Sequence, residues 1–139
     1  MSQSQPPRKL PLHEHLGIET RSVGAGHSHI ALRAETHHLR SAGIVHGGVI
    51  AALLDACQGM AAASVAPAGH DVLTVQLNVN FIRPVPLGEF VEARGQILHA
   101  GRRTAVTRGE VTTSTGNLVA AASATLLYLP HEQIAPPSP

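Results

Sequence analysis

A run of small and apolar residues at positions 44 to 64, IVHGGVIAALLDACQGMAAAS, constrains the fold more than any other part of the chain. Its Ala and Leu residues favour a helix from His46 to about Val65, and the Pro and Gly that follow end it. Such a helix is roughly 30 Å long and crosses a whole small domain. Because most of its sides are apolar, we expect other elements to bury it. Asp55 and Gln58 interrupt the apolar run, which favours a core helix over a membrane span.

Segments of alternating apolar and polar residues after this helix predict strands. The clearest alternation runs from Leu73 to Phe81, where one face is apolar and the other carries Thr, Gln and Asn. Further strands are predicted at 90–98, 104–113 and 118–129, with a shorter hairpin before the helix at 17–23 and 27–34. This order is typical of an α+β fold in which an antiparallel sheet curls around one long helix.

The length of 139 residues is that of one ordinary domain. Polar and Pro-rich ends predict disordered tails over residues 1–12 and 131–139, which leaves a single domain over 13–130. Aromatic residues make up 2% of the chain and tryptophan is absent, so the core must be built from smaller aliphatic side chains. One protomer would then have a thin core, and we expect a homodimer at least.

The charge and cysteine content argue against several classes of protein. A net charge of +1 with 14% charged residues gives no basic surface for nucleic acid. The single cysteine cannot form an internal disulfide and no signal-peptide pattern opens the chain, so we expect a cytoplasmic protein. Cys57 is predicted to be a buried, inert thiol. We expect loop or surface positions, rather than metal ligation, for four histidines: His27, His29, His37 and His38.

Asp55 is an ionisable residue in the apolar middle of the predicted helix. An unpaired carboxylate buried there would cost several kcal/mol or become protonated. No Lys or Arg lies three or four positions away, which excludes a local salt bridge. The residues alone leave a catalytic role and a solvent-facing or capping role equally open.

The sequence HisGlyGly at positions 46–48 opens the same helix. Two glycines leave the first backbone N–H groups approachable at the positive end of the helix dipole, which suits an oxyanion. Together with Asp55 they supply an oxyanion hole and a nucleophile or base, as acyl transfer requires. Gly47 and Asp55 lie about 12 Å apart along one helix, too far to act on the same carbonyl. We therefore predict a site at a dimer interface, with one group from each subunit.

Three stretches, VHGGVIAALLD at 45–55, LNVNFIRPV at 77–85 and AGRRTAV at 100–106, resemble the hotdog-fold acyl-CoA thioesterases of the phenylacetyl-CoA (PaaI-type) branch. The resemblance covers roughly residues 15–129. It implies the hotdog fold, hydrolysis of an acyl-CoA thioester, and a dimer or homotetramer. It implies no metal or organic cofactor and no nucleic-acid or membrane partner.

The resemblance also assigns roles to individual positions. Asp55 matches the carboxylate nucleophile or general base, and the N–H of Gly47 matches the group that polarises the thioester carbonyl. His46 would position the substrate or the helix start, and Thr74 would orient the attacking water. The remaining candidate substrate contacts are Gly48, Arg40, Gln58, Arg83, Arg102 and Arg103.

Arg40 departs from the family pattern, in which an Asn or Gln at this position assists the oxyanion hole. An arginine here can bind the carbonyl, contact a phosphate of coenzyme A or point to solvent. The arginines of the predicted turns likewise contact coenzyme A phosphates or are solvated. Two other functions stay open: a non-catalytic acyl-CoA binding protein, and a hotdog hydratase or dehydratase that uses a His and acid pair.

Overall fold

The computed structural model describes residues 10–134 and consists of a six-stranded sheet, one long helix and two short helices. The elements are α1 (Pro11–Leu16), β1 (Glu19–Gly24), β2 (His27–Arg33), α2 (Gly47–Ala63), β3 (His70–Phe81), β4 (Phe90–Ala100), β5 (Thr104–Thr113), β6 (Leu118–Pro130) and α3 (His131–Ile134). Two 3₁₀ turns, Thr36–His38 and Ser41–Gly43, lie between β2 and α2. The α+β fold and the strands predicted from periodicity are confirmed.

The strand order across the sheet is β1-β2-β4-β5-β6-β3, and all neighbouring strands are antiparallel. Strands β1 and β3 therefore form its two edges. Helix α2 packs across the sheet and buries Leu53, Leu54 and Cys57 completely. The main core lies between this helix and the aliphatic residues of the central strands.

Two neighbouring glycines allow α2 to approach the sheet closely. Gly95 on β4 and Gly109 on β5 are paired across the two strands. A Cβ at Gly95 would collide with the Cys57 carbonyl, and a Cβ at Gly109 would lie 3.0 Å from the side chain of Gln58. A side chain at either position would push the helix away from the sheet.

Helix α2 is buried on one side only, which differs from the expectation that other elements surround it. Leu53, Leu54 and Cys57 face the sheet, whereas Asp55 is exposed and Gly59 is partly exposed. The reason is geometric: a single six-stranded sheet covers one side of a helix. Within residues 10–134 the side that carries Asp55 is covered only in part, by residues of α1, β1 and β3 that line a cavity.

Strand β3 departs from its predicted alternation. The sequence predicts that all apolar residues of this strand share one face, but a bulge follows Thr74. The extra residue reverses the side-chain alternation beyond it. Thr74 therefore faces α2 on the same side as Leu77 and Val79, whereas Leu73 and Val75 are about half exposed.

The ends of the described chain also differ from the predicted tails. Residues 11 and 12 belong to α1, which has a Pro at its first position and ends at Gly17 in the left-handed conformation, with φ of 78°. Residues 131–134 form α3. The remaining parts of the predicted tails, 1–9 and 135–139, lie outside the described residues. No helix between residues 10 and 134 has the length and apolar character that a bilayer crossing requires.

Candidate active site

Asp55 and Thr74 form the centre of the candidate site. The Thr74 hydroxyl donates to Asp55 Oδ1 over 2.8 Å, so α2 and β3 are joined at this point. The bulge in β3 places Thr74 on the helix side, because without it the strand would turn this side chain away. The structure thus brings together the two residues that the family resemblance assigns to the base and to water orientation.

His46 forms the start of α2. It is the N-cap residue, and its Nδ1 accepts the Gly48 N–H over 2.7 Å. Nδ1 therefore carries no hydrogen, and the proton of the neutral ring is on Nε2. A Cβ at Gly48 would lie 2.8 Å from this Nδ1, so glycine is the residue that fits the cap. His46 therefore caps the start of α2, which is one of the two roles that the resemblance implies for it; the other is to position the substrate.

The Gly47 N–H is the donor that remains for an oxyanion. As the first helical residue, Gly47 has no intrahelical acceptor for its N–H. Within the described part of the chain no other acceptor bonds to it. The Gly48 N–H, in contrast, already bonds to His46. Gly47 and Asp55 belong to the same helix, so one chain cannot bring them together, and the interface site stays a prediction.

A cavity of about 810 Å³ lies beside Asp55. Its polar residues include Asp55 and Thr74, and most of its wall is apolar. The apolar and small residues that line it come from α2, β1, β3 and the chain before α1: Leu10, Val23, Ala56, Gly59, Met60, Ala63, Val72 and Leu73. An elongated apolar group attached to a carbonyl at Asp55 would fit such a space.

His13 on α1 also lines this cavity, although it belongs to no motif that marks it as a site residue in the sequence. Burial lowers the pKa of His13, and the charge of Asp55 opposes this shift only in part. The imidazole is therefore mainly neutral at pH 7. No local pattern predicts this position, because His13 reaches the cavity only through the packing of α1 against the rest of the domain.

The four arginines proposed for substrate binding lie outside the lining of this cavity. Arg40 is exposed in the loop before α2. Arg83 is exposed after β3, and its guanidinium donates to the Leu118 carbonyl over 3.0 Å. Arg102 and Arg103 are exposed in the turn between β4 and β5. The structure of one chain does not bring any of them next to Asp55.

Gln58 is a correction to the predicted substrate contacts. Its side chain is fully buried, donates to the Leu54 carbonyl over 3.0 Å and accepts from the Thr107 hydroxyl over 2.8 Å. It faces the sheet, whereas Asp55 faces away from it, so Gln58 stabilises the packing of α2. Cys57 is buried as predicted, and burial raises the pKa of its thiol to about 12, which confirms an inert group.

The histidines considered for metal binding have separate environments. His38 lies in the loop before α2, as expected, but is buried there: its Nδ1 accepts the Glu35 N–H over 2.9 Å and its Nε2 donates to the Leu16 carbonyl over 2.7 Å. His29 lies 3.1 Å from Glu92, and His27 and His37 are exposed. Among residues 10–134 no three His, Cys, Asp or Glu side chains cluster in a way that could hold a metal.

Known proteins provide an independent comparison. The chain matches the thioesterase superfamily over residues 42–120, more than half of its length. It is 30% identical to acyl-coenzyme A thioesterase 13 of Pongo abelii over 90 residues, which are 64% of each chain.

Two solved structures are similar over most of the chain. A mutant of the phenylacetic acid degradation protein PaaI from Thermus thermophilus has a TM-score of 0.79 and 31% identity, covering 86% of this chain and 99% of that one. A hypothetical thioesterase protein from Streptococcus pneumoniae, solved with coenzyme A, has a TM-score of 0.76 and 26% identity, covering 81% of this chain and 86% of that one. The chain therefore belongs to the thioesterase superfamily, with the hotdog fold and the enzyme class that its sequence predicts.

Proposed function

We propose that this protein hydrolyses an acyl-CoA thioester to the free acid and coenzyme A. The observation that carries the proposal is the pairing of Asp55 with the Thr74 hydroxyl at the edge of a largely apolar cavity. Membership of the thioesterase superfamily supports thioester chemistry. Two similar proteins, an acyl-coenzyme A thioesterase and a hypothetical thioesterase solved with coenzyme A, support a coenzyme A substrate.

In the proposed reaction Asp55 takes a proton from a water molecule whose oxygen attacks the thioester carbonyl carbon. The N–H from Gly47 of the partner subunit stabilises the negative charge on the carbonyl oxygen. The C–S bond then breaks, its electron pair leaves with sulfur, and the thiolate takes up a proton from the Asp55 carboxyl or from solvent. Direct attack by the Asp55 carboxylate, followed by hydrolysis of the anhydride, would use the same residues.

A homodimer, or a homotetramer built from such dimers, would complete this site. Strand β3 is an edge of the sheet, and its exposed side carries Leu73 and Val75. Phe81 and Ile82 at the end of the strand are also about half exposed. An unpaired edge with exposed apolar residues favours association with a second copy of the chain.

The exposed arginines suit the phosphates of coenzyme A. Arg102 and Arg103 are adjacent in one turn, and neither makes an ion pair within the described chain. Guanidinium groups bind phosphate through paired hydrogen bonds. We propose that these two, together with Arg83 and Arg40, hold the nucleotide end of the substrate. The cytoplasm, where acyl-CoA occurs and Cys57 would stay reduced, is the proposed location.

The test is thiol release from a panel of aromatic and aliphatic acyl-CoAs, with the wild type and Asp55→Asn side by side. Asn keeps the size of the side chain and can still accept from Thr74, but it cannot take a proton. We expect kcat/KM to fall by roughly 100-fold or more in the variant while the oligomeric state is unchanged.

Release that is equal in both proteins would refute the proposed role of Asp55. The replacement of the usual amide by Arg40 favours a second candidate, a non-catalytic acyl-CoA binding protein. Tight binding of acyl-CoA without thiol release from any substrate would support that candidate instead.

A further inference from the structure

The cavity beside Asp55 contains few side-chain hydrogen-bond donors that are still available. The Ser64 hydroxyl donates to the Ala61 carbonyl over 2.7 Å and accepts the Gly26 N–H over 2.9 Å. The Thr74 hydroxyl donates to Asp55. The two aspartates of the cavity are acceptors when ionised. Of the polar side chains that line the cavity, only His13 has a donor that is not used within residues 10–134.

The surroundings of His13 indicate which nitrogen carries the proton. Nδ1 is buried and has no partner among the described residues, whereas Nε2 is not enclosed in this way. A buried N–H without an acceptor is rarer and more costly than an unused lone pair. The proton of the neutral ring therefore belongs on Nε2, which is the nitrogen that stays accessible.

One oxygen of Asp55 is available to accept a hydrogen bond from a water molecule. Oδ1 accepts from Thr74, and no donor within the described chain bonds to Oδ2. A water bound to Oδ2 by donating one hydrogen needs further partners to be held in place. Its oxygen can accept one hydrogen bond and keep a second lone pair for attack. The neutral His13 ring, in the same cavity and within electrostatic reach of Asp55, supplies a suitable donor.

We propose that His13 is a positioning residue for hydrolysis: its Nε2–H donates to the water that Asp55 deprotonates, and so fixes that water beside the thioester carbonyl. The inference rests on the proposed thioesterase activity with Asp55 as the general base. The proton still moves from water to Asp55, and His13 keeps its own proton throughout. His13 thereby adds a residue from α1 to a site otherwise built from α2 and β3.

The experiment compares His13→Leu and His13→Gln with the wild type in steady-state thiol release. Leu removes the donor, whereas the amide of Gln restores an N–H close to the position of Nε2. We expect His13→Leu to lower kcat by roughly 10-fold or more with little change in KM, and His13→Gln to recover most of that loss. His15→Leu, an exposed residue of the same helix that does not line the cavity, is the matched control and should match the wild type.

A double-variant cycle separates positioning from structural support. If His13 acts only through the water at Asp55, His13→Leu should cause no further loss in the Asp55→Asn background, measured with enzyme in excess. The same fold-loss in both backgrounds would overturn the proposal, as would wild-type kcat in His13→Leu. Equal losses in the Leu and Gln variants would overturn it as well. If the wild-type protein releases no thiol from any acyl-CoA, the proposed function itself fails.

Discussion

Asp55 stands out in the sequence as a carboxylate within an apolar helix. Its exposure and its hydrogen-bond partner are known only from the structure. No cation lies within a helical turn of it, which already indicates that it is not a local structural ion pair. In the structure it is exposed, and one of its oxygens accepts from Thr74. The hydrogen bond restricts the rotamer of Asp55, which lines the cavity. In the proposed reaction, Thr74 thereby determines how well Asp55 is placed for proton transfer.

Replacing Thr74 by Val should lower kcat/KM by roughly 10-fold, because an exposed hydrogen bond to a carboxylate is worth about 1 to 2 kcal/mol. Val has nearly the same shape as Thr but no hydroxyl. Thr74→Ser keeps the hydroxyl and should stay within about 3-fold of the wild type. Thiol release with one good acyl-CoA substrate measures both variants. Equal activities for the Val and Ser variants would contradict this role.

Three glycines in helix α2 or packed against it differ in how much space surrounds them. Gly95 and Gly109 are needed because the backbone and side chains of α2 pack directly against them. Gly59 lies inside α2, one turn beyond Asp55, and a Cβ there would meet nothing within 4 Å. Glycine within a helix costs roughly 0.5 to 1 kcal/mol relative to alanine. Packing among residues 10–134 does not explain Gly59, which lines the cavity beside Asp55.

We expect Gly59→Ala to raise the free energy of unfolding by about 0.5 to 1 kcal/mol, measured by urea denaturation. Gly95→Ala and Gly109→Ala are the matched comparisons and should both lower it, because a Cβ at Gly95 would collide with the α2 backbone and a Cβ at Gly109 would crowd the fully buried Gln58. A loss of stability in Gly59→Ala would mean that a second subunit packs closely against this position.

At the scale of the whole molecule, the antiparallel sheet covers one side of the long helix α2 and leaves much of its other side exposed. Asp55, the cavity and the exposed apolar residues of the β3 edge all lie on a surface that residues 10–134 leave open. Gly47, the proposed oxyanion donor, lies about 12 Å from Asp55 along the same helix. A site that uses both groups therefore requires two copies of the chain.

A subunit-mixing experiment tests this arrangement. Gly47→Pro removes the N–H but suits the first position of a helix, and the extended backbone of His46, with ψ of 134°, accepts a following proline. Gly47→Pro and Asp55→Asn should each be nearly inactive alone. Refolded together, half of the random dimers would be mixed, each with one intact site, so activity should return to roughly a quarter of the wild-type value. No recovery in mixed dimers would show that Gly47 and Asp55 do not act together in one site between subunits.

Local patterns in the sequence were sufficient for α2 and the six strands, because helix propensity and two-residue alternation act over neighbouring positions. Asp55 and Gly47 could be singled out as candidates, since an uncompensated carboxylate and a glycine-rich helix start are local features, and their roles in catalysis stay a prediction. The side of α2 that faces the sheet, and hence the burial of Gln58, depended on contacts with Gly95 and Gly109. The bulge that turns Thr74 to Asp55 arose from the pairing of β3 with β6, and His13 entered the cavity through packing across distant parts of the chain. Such contacts join residues far apart in sequence, so only the tertiary structure could decide them.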